Sequence, residues 1–285
     1  MRLEDLAEEW DDSVVPATER NPETDNQKQW AENGFLIKKN LIPEDLMAAY
    51  EKEWLGRNGG PGSKLGNPNT YATPMGWQHA TPYMDNDALR ALACCSQIAE
   101  IGEELISEPI GLHLNLTGWK STRRNWHFDQ YLNESYVGSF YVAVWIALDT
   151  IHPDSGPFEY VPGSHKWWPP ISQAKMREAL GRDGQGPAWP THSEKILTPI
   201  FEKELERVGG VVPFLGERGD VLFWHSRLLH RGSMPNNPDL ERRSLISHYS
   251  GITHRPDMPK AVKYPDGGWF FPLNGRTPTN YKSMR

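Results

Sequence analysis

The sequence predicts an α+β domain, a jelly roll with helices on its flanks. Three observations carry this. Up to residue 108 the apolar residues fall at helical spacing, and beyond it they fall into a series of short strands. Residues 110–119 alternate, with Leu112, Leu114 and Leu116 interleaved with His113, Asn115 and Thr117. Neither an internal repeat nor a second domain is visible in the 285 residues, so they read as one domain over 1–285. Within it, 1–28 is an N-terminal arm and 251–285 a C-terminal extension.

The elements follow in order. Residues 1–28 are polar and charged, with Pro16 and Pro22, and read as a loose arm. Gly34-Phe35-Leu36-Ile37 reads as a short strand. Residues 43–54 place Leu46, Met47 and Tyr50 at helical spacing, and Pro43 suits a helix start. Residues 57–75 are rich in Gly, Pro and Asn and read as a loop. Residues 87–105 read as one helix, with Leu89, Leu92, Ile98, Ile101 and Leu105 on its apolar face. Residues 139–148 form a nearly continuous apolar strand, 152–157 a turn and 158–161 a short strand. Residues 172–208 carry one or two helical insertions. Gly219-Asp220 leads into a strand at 221–224, and another spans 242–250.

Composition narrows the function. A net charge of -7 argues against a general nucleic-acid binder, since phosphate binding needs a basic surface. Cys94 and Cys95 are adjacent and offer no disulfide framework, which fits a reducing, cytoplasmic setting. The acidic N-terminus has no apolar segment of the kind a signal peptide needs, and no run of about 18 apolar residues is long enough to span a membrane. The 12 tryptophans read mainly as core, with some as pocket wall.

The chemistry centres on Trp126-His127-Phe128-Asp129. Residues two apart on a strand share a face, so an imidazole and a carboxylate would project together. A second imidazole, His230, would complete a 2-His-1-carboxylate triad. That donor set suits Fe(II) in an oxygenase, because three coordination positions stay open. Two look-alikes are set aside. His152-Pro153-Asp154 lies in a turn, and His192-Ser193-Glu194 in a polar insertion without strand pattern. His225 reads as a structural neighbour rather than a ligand. A 2-oxoglutarate co-substrate would also need a cation for its distal carboxylate, and arginine supplies the matching fork. Arg242 and Arg243 begin the strand after His230, and alternation lets only one of them face the pocket.

Taken together these pieces resemble the phytanoyl-CoA dioxygenase family, which includes ectoine hydroxylase. The matching segments begin with Gly34-Phe35-Leu36-Ile37, Lys120, and Trp126-His127-Phe128-Asp129. They continue with Trp145-Ile146-Ala147-Leu148-Asp149, Ser155-Gly156-Pro157-Phe158 and Val161-Pro162-Gly163-Ser164-His165. Gly219-Asp220, His230-Arg231-Gly232-Ser233 and Arg242-Arg243-Ser244 complete the set. The resemblance implies a double-stranded β-helix of cupin-like form, with Fe(II), 2-oxoglutarate and O2 as co-substrate and succinate and CO2 as products. It carries the metal role to His127, Asp129 and His230, and the 2-oxoglutarate role to Arg242, with Arg243 as the alternative. Trp145 falls beside the co-substrate, and Lys120 is a further candidate for its carboxylate. Family members often place Ser two residues after the distal His. Here Gly232 stands there and Ser233 one later, so Ser233 is a displaced match. Related halogenases replace the ligand Asp by Ala or Gly, so the retained Asp129 favours hydroxylation.

The expected partner is a small molecule. Lys120, Arg123 and Arg124 would suit an acidic group on it. A lid could come from 57–82, with Tyr71, Trp77 and His79, and with Tyr83 just beyond. Trp167 and Trp168 would close the pocket or cap the core. Two alternatives compete: the same cofactors with another oxidative outcome, such as desaturation, cyclisation or C–P bond oxidation, and a non-catalytic jelly-roll binding protein, which predicts a broken triad.

Overall fold

The computed structural model describes residues 2–58, 81–121 and 123–273. The lid candidates Tyr71, Trp77 and His79 lie outside them. Helices dominate the first half: α1 (Ala17–Arg20), α2 (Asp25–Asn33), α3 (Glu44–Asn58), α4 (Asp87–Ala93) and α5 (Ser96–Ile106). Thr24 caps α2 by accepting from the Gln27 N–H at 3.2 Å, and the Gln27 side chain returns a bond to Thr24. Gly34 ends that helix at φ +73°, a conformation L side chains rarely adopt.

The strands are β1 (Phe35–Lys38), β2 (Ile110–Leu116), β3 (Tyr141–Ala147), β4 (Phe158–Tyr160), β5 (Val212–Pro213), β6 (Val221–His225), β7 (His230–Gly232), β8 (Ser244–Gly251), β9 (Val262–Lys263) and β10 (Trp269–Phe270). They form a seven-stranded sheet in the order β1-β6-β3-β8-β2-β10-β9 and a three-stranded sheet, β5-β4-β7. All pairings are antiparallel except β10 with β2.

Strand β3 lies between β6 and β8 and is buried on both faces, which explains its unbroken apolar run. Its two faces have separate duties. Val142, Val144 and Ile146 pack with Val221 and Phe223 against the helices, among Trp30, Tyr50, Trp54, Leu89 and Ile98. Tyr141, Ala143, Trp145 and Ala147 turn the other way, with Leu222, Trp224 and Ile246. There they meet Phe158 and Tyr160 of the small sheet. The second core is where the candidate site sits.

A third core is built by α6 (Gln173–Ala179) and α7 (Trp189–Val208), the two helices of the 172–208 insertion. It joins Met176, Trp189 and Phe201 to Trp126, Phe128 and Tyr131. The N-terminal arm belongs here too. It is docked rather than loose: Leu3 and Leu6 are buried in this core, and Glu8 N–H donates to the Pro170 carbonyl at 2.8 Å. Farther on, the Val14 carbonyl accepts from the Ser139 N–H at 2.8 Å beside Gly138, where an added Cβ would collide with that carbonyl.

Two other expectations change. The single helix over 87–105 divides at Cys94-Cys95. The Cys94 carbonyl accepts from the Gly268 N–H at 3.1 Å, so the β9–β10 segment docks where the helix would have continued. The C-terminal extension thereby joins the large sheet up to residue 273. Among the described residues, no helix is long and apolar enough to cross a membrane.

Candidate active site

His127 and His230 face each other across a single antiparallel bridge. The His127 N–H donates to the His230 carbonyl at 3.0 Å, and the return bond is 2.9 Å. Residues paired in this way project side chains to one face. Their ring centroids are 4.2 Å apart. This replaces the expected strand through Trp126–Asp129, which is only one rung long. Asp129 turns away at φ -87°, ψ -17° into a 3-10 helix at Gln130–Leu132. Its backbone is pinned by the Ser226 carbonyl, which accepts from Asp129 N–H at 2.7 Å and Gln130 N–H at 2.9 Å. The turn still brings the carboxylate to the imidazoles. Asp129 Oδ1 is 3.8 Å from His127 Nε2, and Oδ2 is 3.8 Å from His230 Nε2.

The tautomers follow from the partners. His127 Nδ1 lies 2.7 Å from the Asn125 carbonyl and His230 Nδ1 lies 2.8 Å from the Leu228 carbonyl. A carbonyl only accepts, so both protons sit on Nδ1 and both Nε2 lone pairs turn toward Asp129. Burial holds His127 well below the usual histidine pKa, with the Arg124 charge adding to it. Burial also lowers His230, against the opposing pull of Asp129. All three side chains are buried, and their donor atoms lie within 4.8 Å of one another. Two neutral imidazoles and a carboxylate fit a divalent transition metal that accepts mixed N/O donors.

Arg242 enters the same cavity. It is 1% exposed and anchored by donating from Nη1 to the Gly156 carbonyl at 2.9 Å and from Nη2 to the Lys120 carbonyl at 3.4 Å. Its Nε has no partner among the described residues. Burial pushes its pKa down to about 10, and no carboxylate among the described residues acts against that. A buried guanidinium without a counter-ion is costly, so this geometry fits an anionic ligand group. Arg243, the alternative, points outward. It pairs with Glu241 at 2.7 Å and Glu51 at 4.0 Å and lies over the Trp119 ring. Trp145 is fully buried, with its ring centroid 5.8 Å from the Arg242 guanidinium carbon.

Two candidates are corrected. Lys120 does not reach the cavity, because its ammonium is held by the carbonyls of Pro238, Asp239 and Leu240 at 2.7–3.1 Å. It clamps that loop instead. The Ser233 hydroxyl donates to the Pro157 carbonyl at 2.8 Å, while Gly232 lines the cavity. The cause is alternation along β7, where His230 and Gly232 face inward and Arg231 outward to Glu159.

Other residues take clear places. Arg124 lines the cavity and pairs with Glu194 at 3.1 Å, so the His192–Glu194 segment lies in helix α7 and serves as an anchor. Arg123 is exposed. His152 and Asp154 lie half in solvent, as expected of a turn. His225 is structural: its Nδ1 accepts from the Arg227 N–H, and Nε2 faces Glu19 at 3.3 Å. Tyr83 is buried and donates to the Phe271 carbonyl. Trp167 and Trp168 pack on the third core.

Two cavity residues escaped the sequence reading. His248 Nδ1 lies 2.5 Å from the Tyr141 hydroxyl and 3.9 Å from Asp129 Oδ2, and burial pushes its pKa down to about 4. Trp224 donates its indole N–H to Asp129 Oδ2 at 3.1 Å. The available signal was strand period two, which puts His248 on the face of Ile246 and Trp224 on that of Leu222.

The comparisons place the chain among the non-haem iron, 2-oxoglutarate-dependent dioxygenases, and the cavity's donor set fits that class. The chain belongs to the phytanoyl-CoA dioxygenase (PhyH) family, whose profile matches residues 30–244. The peroxisomal phytanoyl-CoA dioxygenase of Rattus norvegicus is 23% identical over 244 residues, covering 79% of this chain and 67% of that protein. The Homo sapiens enzyme is 24% identical over 247 residues, covering 79% and 68%. Among solved structures, EctD from S. alaskensis with bound Fe has a TM-score of 0.57 at 17% identity, covering 93% of this chain and 87% of that one. The non-haem alpha-ketoglutarate-dependent carbocyclase SnoK, from nogalamycin biosynthesis, has a TM-score of 0.53 at 21% identity, covering 83% and 87%. These two structures share the fold.

Proposed function

We propose that the protein hydroxylates an unactivated C–H bond of a small acidic or zwitterionic molecule, with Fe(II) held by His127, Asp129 and His230. One observation supports this above the others. The three metal-type donors and a buried guanidinium, Arg242, with no carboxylate partner among the described residues, open into one cavity. The ferrous iron, when bound, supplies O2 activation coupled to decarboxylation of the keto acid. The protein's own residues do the rest. The two imidazoles present Nε2 because Asn125 and Leu228 fix their Nδ1 protons. Arg242 receives the distal carboxylate of 2-oxoglutarate, with Trp145 behind it. Phe158, Leu116 and Ile246 line the cavity and limit water. Arg124, tethered by Glu194, offers a cation to an acidic substrate.

In the same reading the two sheets are the halves of a double-stranded β-helix, and residues 1–285 form one catalytic domain. The buried free thiols Cys94 and Cys95 suit a cytoplasmic setting. A second outcome at the same site, ring formation or epimerisation, is favoured by the fold shared with SnoK and with the alpha-ketoglutarate-dependent epimerase SnoN (TM-score 0.52, 19% identity, covering 79% of each chain). Product mass separates the readings. Purified protein with Fe(II), 2-oxoglutarate, O2 and a panel of small amino and carboxylic acids is expected to release succinate with one panel member. That member should gain one oxygen atom. Unchanged mass with inverted stereochemistry, or loss of two hydrogens, would replace hydroxylation by the second outcome.

A further inference from the structure

We propose that Trp224 is a positioning residue for the metal site, its indole N–H holding Asp129 by Oδ2 and so setting the rotation in which the carboxylate would meet the metal. This rests on the reading of Asp129 as a ligand.

The local sequence explains how the ring arrives. In β6, Leu222 and Trp224 face the inner core while Val221 and Phe223 face the helices. The residue opposite Trp224 on β3 is Ala143, whose small side chain leaves room for an indole. The ring is then wedged by Phe158, His230 and His248 at centroid distances of 4.9, 5.4 and 5.7 Å. Its orientation is fixed by packing before the hydrogen bond is considered.

The bond itself joins two buried groups, Trp224 at 1% and Asp129 at 3% exposure. An indole N–H can only donate and a carboxylate can only accept. With water excluded, turning the carboxylate away would leave the N–H unsatisfied, a costly state. The backbone adds a second clamp. The Ser226 carbonyl, two residues beyond Trp224, holds both the Asp129 and Gln130 N–H groups. One strand end therefore fixes Asp129 through its main chain and through Oδ2. In that rotation Oδ1 lies 3.8 Å from His127 Nε2 and Oδ2 3.8 Å from His230 Nε2.

The consequence is preorganisation. A carboxylate free to rotate must be ordered when a metal binds, whereas one already held by a hydrogen bond is not, so the metal would be bound more tightly.

The test is Trp224→Phe, which keeps a six-membered aromatic ring and removes the donor together with the five-membered ring that carries it. Apo-protein is titrated with Fe(II) under anaerobic conditions, against a competing chelator, and the 2-oxoglutarate charge-transfer band is then recorded. The expected result is an Fe(II) dissociation constant raised roughly 10–100-fold, with a shifted band. Affinity and band indistinguishable from wild type would overturn the proposal and leave the metal site standing. No Fe(II) binding by wild type would overturn both. If Trp224→Phe does not fold, the indole proton spectrum of wild-type apo-protein decides. One downfield indole resonance should move upfield in Asp129→Asn, and a spectrum unaffected by that substitution overturns the hydrogen bond.

Discussion

His127→Ala, Asp129→Ala and His230→Ala are each expected to lose Fe(II) binding and all succinate formation while remaining folded. Each substitution removes one of three donors that lie within 4.8 Å of one another in a buried pocket. Changes to residues behind metal ligands already cost roughly 10–100-fold in affinity, and removal of a ligand should exceed that. The three variants should differ in stability. Asp129→Ala strands the Trp224 N–H, at a cost of about 1–3 kcal/mol. His127→Ala and His230→Ala take away a neutral buried ring and leave only the Asn125 or Leu228 carbonyl without its side-chain partner. Metal content after anaerobic loading, together with urea unfolding of the apo-proteins, checks both halves. A variant that keeps stoichiometric Fe(II) would remove that residue from the ligand set.

Arg242→Met is the second large effect, and it has two signs. Truncating one partner of a buried charge pair costs roughly 2–5 kcal/mol, so 2-oxoglutarate affinity should fall by about 30-fold to several thousand-fold. The apo-protein, by contrast, should be no less stable than wild type. In the absence of a ligand Arg242 is a buried cation with no counter-ion among the described residues, and replacing such a group by an apolar chain of similar length removes a desolvation penalty. Arg243→Met serves as the control, since its ion pairs lie outside the cavity. Equal loss of 2-oxoglutarate affinity in both variants would contradict the assignment.

Much of this was legible in the sequence, and the exceptions have physical causes. Apolar patterning revealed β2, β3, β6 and β8: alternation marks β2, while burial on both faces writes β3 as an unbroken apolar run. The three residues proposed as metal ligands do cluster, but through a geometry other than the one expected. His127 and Asp129 converge through a bridge and a turn rather than along a strand, and the pinning carbonyl of Ser226 leaves no residue signature. The choice between Arg242 and Arg243 needed the register of β8, which begins at Ser244. Lys120 and Ser233 misled because backbone carbonyls took their donors, and carbonyls are invisible to sequence pattern. The arm looked loose because its apolar content is sparse, yet Leu3 and Leu6 suffice to seat it on the insertion helices.

The most direct test of the central claim is the visible spectrum of anaerobic wild-type protein given Fe(II) and 2-oxoglutarate. Chelation of the keto acid to iron at this site predicts a weak metal-to-ligand charge-transfer band that is absent with either component alone and absent in Asp129→Ala. Folded protein that shows no band and retains no iron would contradict the oxygenase account and favour a binding protein on the same scaffold.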